Sequence, residues 1–195
     1  MATSVKERSH ERNAAFTAGV SLILMALAAF FSYGFVHGSL VVKGDVGVTF
    51  TNIVSSNSLF KAEILGWVLI LICDIVVAWA LYIFLNKTLS LLGAWLRLTY
   101  SVVLGMAILN LIVVLHLSAP GTYLSSFQTE QIQSLMMLFL EAFESIWSIG
   151  LIVFGGHLLI VGYVALKSGS IPKVISILLL LAAIGYMVIH HAKSP

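Results

Sequence analysis

Charge is what this sequence has least of. Only 9% of its 195 residues are Asp, Glu, Lys or Arg, whereas 60% are hydrophobic and the mean hydropathy is +1.07. A water-soluble domain carries about a quarter charged residues, so that class is excluded. The net charge of +2 provides no electrostatic footprint for nucleic acid. Cysteine is nearly missing as well: Cys73 stands alone, which rules out an intrachain disulfide and a cysteine-based zinc site. Lying in an apolar run, it reads as a buried, inert thiol. The basic start, "MATSVKERSHERNAAF", is followed by an apolar stretch longer than the ~7–15 residues of a signal-peptide core. With no small-residue cleavage site after it, an uncleaved first span is expected.

Long apolar runs are abundant. Five stretches approach or exceed the ~20 residues that a helix needs to cross a bilayer: 15–37, 59–85, 89–117, 144–166 and 172–191. The expected fold is therefore all-α, a single membrane-embedded helical bundle over 1–195 with five transmembrane helices and one or two short interfacial ones. Only "NKT" separates the second and third spans, a tight turn that makes them antiparallel neighbours. Pro172 suits the first turn of the last helix. "KGDVGVTFTNIVSSN" reads as a short helix capped by Asp45 or as an irregular loop. "FQTEQIQSLMMLFLEAF" has helical character and can run into the fourth span. A straight helix from Thr129 to Leu166 would then be ~57 Å long against a ~30 Å hydrocarbon core, so a bend or a surface-lying segment is expected.

The basic residues set orientation. With the N-terminus inside, the inner side carries Lys6, Arg8, Arg12, Lys87, Lys167 and Lys173, and the outer side Lys43, Lys61 and Lys193. The positive-inside rule then reads as a multi-pass protein of the cell (inner) membrane, N-terminus cytoplasmic and C-terminus outside.

Ionisable residues at bilayer depth are costly and mark partners or function. Counted from the "NKT" turn, Asp74 lies ~18 Å along its helix and Arg97 ~14 Å along the next. His157, counted from Lys167, lies at ~15 Å. Three ionisable residues from three helices thus converge on one layer. Two readings stay open: a clamp that fixes helix register, or a core that binds a polar headgroup or moves a proton. Glu63 lies 11 residues before Asp74, on the same helix face, and Glu141 and Glu144 open the fourth span. A face running through Glu144, Glu63 and Asp74 is expected to line a polar cavity. His37, His116 and His190 sit near span ends as weak metal candidates, with His37 and His116 a conceivable haem pair; no helix carries an HExxH-type spacing. Gly155 and Gly156 provide a bend or a close helix contact. Gly19, Ala26, Ala29 and Gly34 read as a small-residue packing face. Trp67, Trp95 and Tyr33 read as interface anchors, and Trp79 as core.

Taken in order, "RNAAFTAG", "VKGDVGVTFTNI", "CDIVVAWALYIFL", "LRLTYSVVLG", "FQTEQIQ" and "FGGHLLIVGYVALKSGSIPKVI" resemble a bacterial family catalogued as domain of unknown function 4386. The likeness runs from Arg12 to about Tyr186. It implies a polytopic membrane protein in which Arg12, Asp45, Asp74, Arg97 and His157 match recurring polar positions, and it implies no activity. The chain departs from the family pattern at Gln128 and Thr129, where an acidic residue or proline often opens the helix.

The expected partners are the lipid bilayer, a small hydrophobic or amphipathic ligand, and a membrane-protein partner or a second copy of the chain. The leading expectation is binding of a small molecule or lipid, or proton relay, at Asp74, Arg97 and His157. The alternative is an accessory or scaffold subunit of a membrane complex. An intramembrane enzyme or a haem or metal protein ranks below both, since no organised nucleophile–base pair or metal motif is present, and no cofactor is firmly implied.

Overall fold

The computed structural model describes residues 2–85, 88–119, 124–169 and 172–191. Among these every regular element is helical. α1 covers Ala2–Ala29 and passes into a π-helical segment, Phe30–His37, then a short turn of helix, α2, at Gly38–Leu40. α3 is Val46–Ser55, α4 Asn57–Leu85, α5 Thr88–Leu117, α6 Thr129–Ser168 and α7 Lys173–His191. Asn86 and Lys87, and with them the expected "NKT" turn, lie outside the described residues.

Four helices are long and apolar enough to cross a membrane by length and composition: Ser9–Leu40, Asn57–Ile83, Leu91–Leu117 and Thr129–Lys167. α3 and the Lys173–Val188 part of α7 are shorter apolar helices. The chain is thus an all-helical, multi-pass membrane protein. Its apolar side chains face outward in quantity, Phe16, Phe30, Leu65, Trp95 and Val174 among them at more than 60% exposure. That surface suits lipid and not water.

α3 starts as the sequence implies. Asp45 is its N-cap and accepts a hydrogen bond from the Val48 N–H at 2.9 Å, satisfying one of the orphan donors of the first turn. α6 begins at Thr129, fifteen residues before the expected span start. The backbone N–H of Gln128 donates to Gln131 Oε1 at 2.9 Å, one half of a capping box, so the departure from the family pattern still makes a helix start. From there α6 runs 40 residues without interruption, Gly155 and Gly156 included.

Those glycines serve contact. A Cβ on Gly155 would meet Met187 Cγ at 3.0 Å and the Ala183 carbonyl at 3.1 Å; one on Gly162 would meet Leu180 Cγ at 3.0 Å and the Ser176 carbonyl at 3.2 Å. One heptad apart, the two glycines let the α6 backbone approach α7 closely, the usual use of small residues between membrane helices.

The first span corrects the expected small-residue face. Ala14, Ala18, Ser21, Ala28 and Ser32 are buried, at the i+3/i+4 spacing of one helix stripe. Gly19 and Ala26 are exposed, and nothing stands within 4 Å of a Cβ on Gly19. Continued at α-helical pitch, the buried stripe predicts Phe35 and Ser39. The buried residues are instead Val36, His37 and Leu40, with Phe35 57% exposed. Such a slip of one residue is what a π-helical insertion produces. It turns the ring of His37 inward.

The chain divides into two compact units. One comprises Met1–Leu24, Ile72–Val103 and Ser148–Pro195, the other Met25–Leu71 and Leu104–Trp147. Trp67, expected as an interface anchor, is 1% exposed in the second unit, whereas Trp79, expected in the core, is 59% exposed in the first. Depth along a helix does not determine which way a side chain points, and here the two tryptophans exchange roles. Trp95 and Tyr33 are exposed, at 61% and 37%, and Cys73 is a buried free thiol.

Candidate functional site

In the first unit, α4, α5 and α6 each contribute one ionisable residue to a buried network. Arg97 Nη2 lies 2.7 Å from Asp74 Oδ1, and Arg97 Nη1 lies 3.1 Å from His157 Nε2. His157 Nδ1 lies 2.7 Å from the Gly93 carbonyl oxygen. A carbonyl only accepts and a guanidinium only donates, so the ring is the neutral Nδ1–H tautomer: it donates to Gly93 and accepts from Arg97. Phe154 stacks its face toward the guanidinium, 5.2 Å from Cζ, a cation–π arrangement. All three polar residues are buried, at 0–1% exposure. The expected Asp74–Arg97–His157 layer is therefore brought together in space. Asp74 Oδ2 has no hydrogen-bond partner among the described residues.

The second unit holds a different network, centred on His37. His37 Nδ1 donates to Glu63 Oε1 at 2.7 Å, and its Nε2 faces Glu144 Oε1 at 3.5 Å. Trp67 Nε1 also donates to Glu63 Oε1, at 3.4 Å. Glu63 is wholly buried, whereas the Glu144 side chain is 34% exposed. Aromatic rings wall the site. Tyr33 stacks on His37 at 5.3 Å, Phe143 stands 5.9 Å from it, and Trp67 meets Phe143 at 5.1 Å and Trp147 at 4.9 Å edge to face. Such ring pairs add about 0.5–1.5 kcal/mol each beyond their burial.

Next to His37 lies a cavity of about 190 Å³, lined by His37, Val41, Lys43, Gly44, Met137, Leu140, Glu141 and Glu144. Its loop wall is fixed by α3. Thr49 Oγ1 accepts from the Val42 N–H at 2.9 Å and donates to the Val42 carbonyl at 3.1 Å; Asn52 Nδ2 donates to the Leu40 carbonyl at 3.2 Å. Gly44 takes φ +80°, the left-handed conformation that favours glycine. The cavity corrects the expected one: Glu141 and Glu144 line it, but Glu63 and Asp74 do not. Glu63 is screened by His37, and Asp74 belongs to the network of the first unit.

The histidines are corrected too. His37, expected as a weak metal candidate at a span end, instead joins two carboxylates. His116 is exposed and bonds the carbonyl of Ile112 in its own helix at 2.8 Å, so it does not share a haem site with His37. The side chain of His190 lies outside the described residues. Among those residues, no three His, Cys, Asp or Glu side chains are grouped to hold a metal ion.

A sequence signal for the His37 site existed. Tyr33 and His37, Glu63 and Trp67, and Phe143 and Trp147 are three i, i+4 pairs on three spans, each placing an aromatic beside a polar or aromatic neighbour on one face.

An "Uncharacterized protein" from Archaeoglobus fulgidus is 30% identical over 129 residues, which cover 65% of this chain and 64% of that protein. The match thus spans less than two thirds of the relative. No solved structure matches the chain. The family model for DUF4386, a domain of unknown function, matches residues 17–193, and the chain belongs to that family.

Proposed function

We propose that the protein is a membrane-embedded binder whose ligand site is the cavity beside His37, while Asp74, Arg97 and His157 act as an internal clamp. The observation that carries this reading is the contrast between the two networks. At the clamp, Asp74 pairs with Arg97 and Arg97 with His157, and all three are almost fully buried. At His37, the network reaches a half-buried Glu144 that lines open space together with Lys43 and Glu141.

In this reading the chain is one membrane domain with five spans, α7 being the fifth. Its 19 residues reach ~28 Å at ~1.5 Å per residue, close to a ~30 Å core. The N-terminus is cytoplasmic and the C-terminus outside, in the cell membrane. The end of the first span, and with it the cavity, then faces the outer side. The ligand is small and amphipathic, its apolar part resting on Val41, Met137 and Leu140.

The geometry of His37 favours a second reading, proton relay. A ring with one nitrogen on a buried carboxylate and the other toward a half-exposed one can pass a proton between them.

The test is native mass spectrometry of the protein released gently from its own membranes, as wild type and as Met137→Trp, which fills the cavity. A bound mass of a few hundred daltons that the variant loses supports the binder. A larger assembly without any small ligand would move the assignment to an accessory subunit of a membrane complex.

A further inference from the structure

The contact between His37 and Glu63 requires a proton. Nδ1 and Oε1 stand 2.7 Å apart, and two lone pairs do not approach so closely, so a hydrogen lies between them. The other side of the ring depends on a second proton. There Nε2 faces Glu144 Oε1 at 3.5 Å, within ion-pair reach but beyond the about 2.7–3.2 Å of an ordinary N–H···O bond. With one proton in the cluster, the ring is neutral, and the bare lone pair of Nε2 points at a carboxylate oxygen. Two acceptors face to face repel. A second proton puts a hydrogen on Nε2 in either arrangement it can take: an imidazolium beside a carboxylate, or a neutral Nε2–H ring beside a protonated Glu63. The ring then joins both acids.

Burial favours the second proton. Glu63 is wholly buried, and its Oε2 has no hydrogen-bond partner among the described residues. With one proton the two carboxylates leave two negative charges on the cluster; with two protons a single charge remains. Charge at bilayer depth is costly. The titratable groups that face the ring are Glu63 from α4, Glu144 from α6 and Tyr33 from its own helix, stacked at 5.3 Å. Phe143, 5.9 Å away, does not titrate, and Lys43 and Glu141 stand on the cavity lining. Glu144 has a further interaction besides the ring, and its side chain is 34% exposed, so it can leave His37 without being stranded. The ring itself is carried by the π-helical segment Phe30–His37, a distortion that recurs at functional sites.

We propose that the second proton is a latch: on Nε2 it ties His37 to Glu144 and holds the end of the first span against α6, and its loss releases Glu144 and widens the mouth of the cavity. Glu144 belongs to both the latch and the cavity lining, so the proton regulates access to the space beside it. That regulatory role rests on the cavity being the ligand site; the latch itself does not.

The experiment uses the full-length protein in lipid bilayers, followed from about pH 5 to about pH 10, a range that spans ordinary imidazole titration. The ring nitrogens are read by 15N NMR of histidine-labelled protein, with His37 assigned by the signal that His37→Gln removes. The cavity mouth is read by electron paramagnetic resonance between nitroxides on Lys43→Cys and Glu141→Cys, both at exposed positions, in a Cys73→Ser background. The hydrogen on Nε2 is expected at the acidic end and absent at the alkaline end, and the label distance should lengthen over the same pH interval. Glu144→Gln is expected to abolish the lengthening, because its amide can donate to the unprotonated nitrogen and keep the contact at both ends. An Nε2 whose protonation does not change across the range overturns the proposal. So does a distance that stays constant while the proton leaves, or one that lengthens equally in Glu144→Gln. Native mass spectrometry of the protein from its own membranes reads the other claim separately. Bound mass that Met137→Trp removes, without movement of the labels, keeps the binding site and overturns the latch; movement without any bound mass keeps the latch and overturns the binder.

Discussion

Replacing Arg97 by methionine while Asp74 stays in place should be among the most damaging single changes in the protein. Arg97 Nη2 lies 2.7 Å from Asp74 Oδ1, and both side chains are 0–2% exposed. Breaking a buried pair by removing one partner costs about 3–5 kcal/mol, because the remaining charge is left without compensation. Asp74→Leu should cost a similar amount by stranding Arg97. At roughly 2–4 °C per kcal/mol for a chain of this size, each variant should lower Tm by roughly 6–20 °C. The double variant behaves differently. With both charges gone, the loss is the unsatisfied Nε2 of His157, about 1–3 kcal/mol. His157 Nδ1 keeps its acceptor, the Gly93 carbonyl, 2.7 Å away. Asp74→Leu/Arg97→Met is therefore expected to be more stable than either single variant, and adding His157→Leu should recover part of the remainder. Thermal unfolding of the four variants in one detergent measures the cycle. Additive losses, with the double variant the least stable of the three, would refute the clamp.

Four further outcomes follow from particular contacts. Gly66→Ala should destabilise by about 1–3 kcal/mol through overpacking, because its Cβ would collide with the side chain of Ser32; Ser32→Ala should relieve part of the loss, as a Tm comparison would show. Gly162→Val should lift α7 from α6, where even a Cβ would meet Leu180 at 3.0 Å and the Ser176 carbonyl at 3.2 Å, and cysteine labelling along α7 should rise relative to wild type. Phe143→Ala removes a fully buried ring that touches His37, Trp67 and Trp147 and should cost about 3 kcal/mol, the low end for aromatic truncation because lipid also solvates the ring. Brominated lipids should quench the fluorescence of Trp79 and Trp95, 59% and 61% exposed, and leave Trp67, 1% exposed, unquenched; quenching of a variant that keeps only Trp67 would contradict the packing.

Much of the polar architecture could be read by counting along helices. Asp74, Arg97 and His157 share a level because depth accumulates at a nearly constant rise per residue, and the structure brings their side chains into contact. Two things escape such counting. One is the facing direction of a side chain: Trp67 and Trp79 lie 12 residues apart on α4 and point oppositely with respect to the core, a difference set by which helices are neighbours. The other is an irregularity in the helix itself. The π-helical segment Phe30–His37 shifts the buried stripe by one residue, so that Val36 and Leu40 are buried where an unbroken α-helix would place Phe35 and Ser39, and His37, beside Val36, is buried with them. Glu141 and Glu144 lie inside a helix that begins at Thr129, the continuous run into the fourth span that the sequence allows. Their role beside Lys43 depends on a loop held by Thr49 and Asn52, side chains whose partners are backbone groups and leave no trace in hydrophobic periodicity.

The division between a clamp and a binding cavity is tested most directly by one measurement on the paired variant. Asp74→Leu/Arg97→Met, released gently from its own membranes, would be weighed intact by native mass spectrometry beside the wild type. If the ligand sits beside His37, the variant keeps the same bound mass as the wild type at the same occupancy. Loss of that mass from a protein that is still folded would place the ligand at Asp74 and Arg97 and contradict the account.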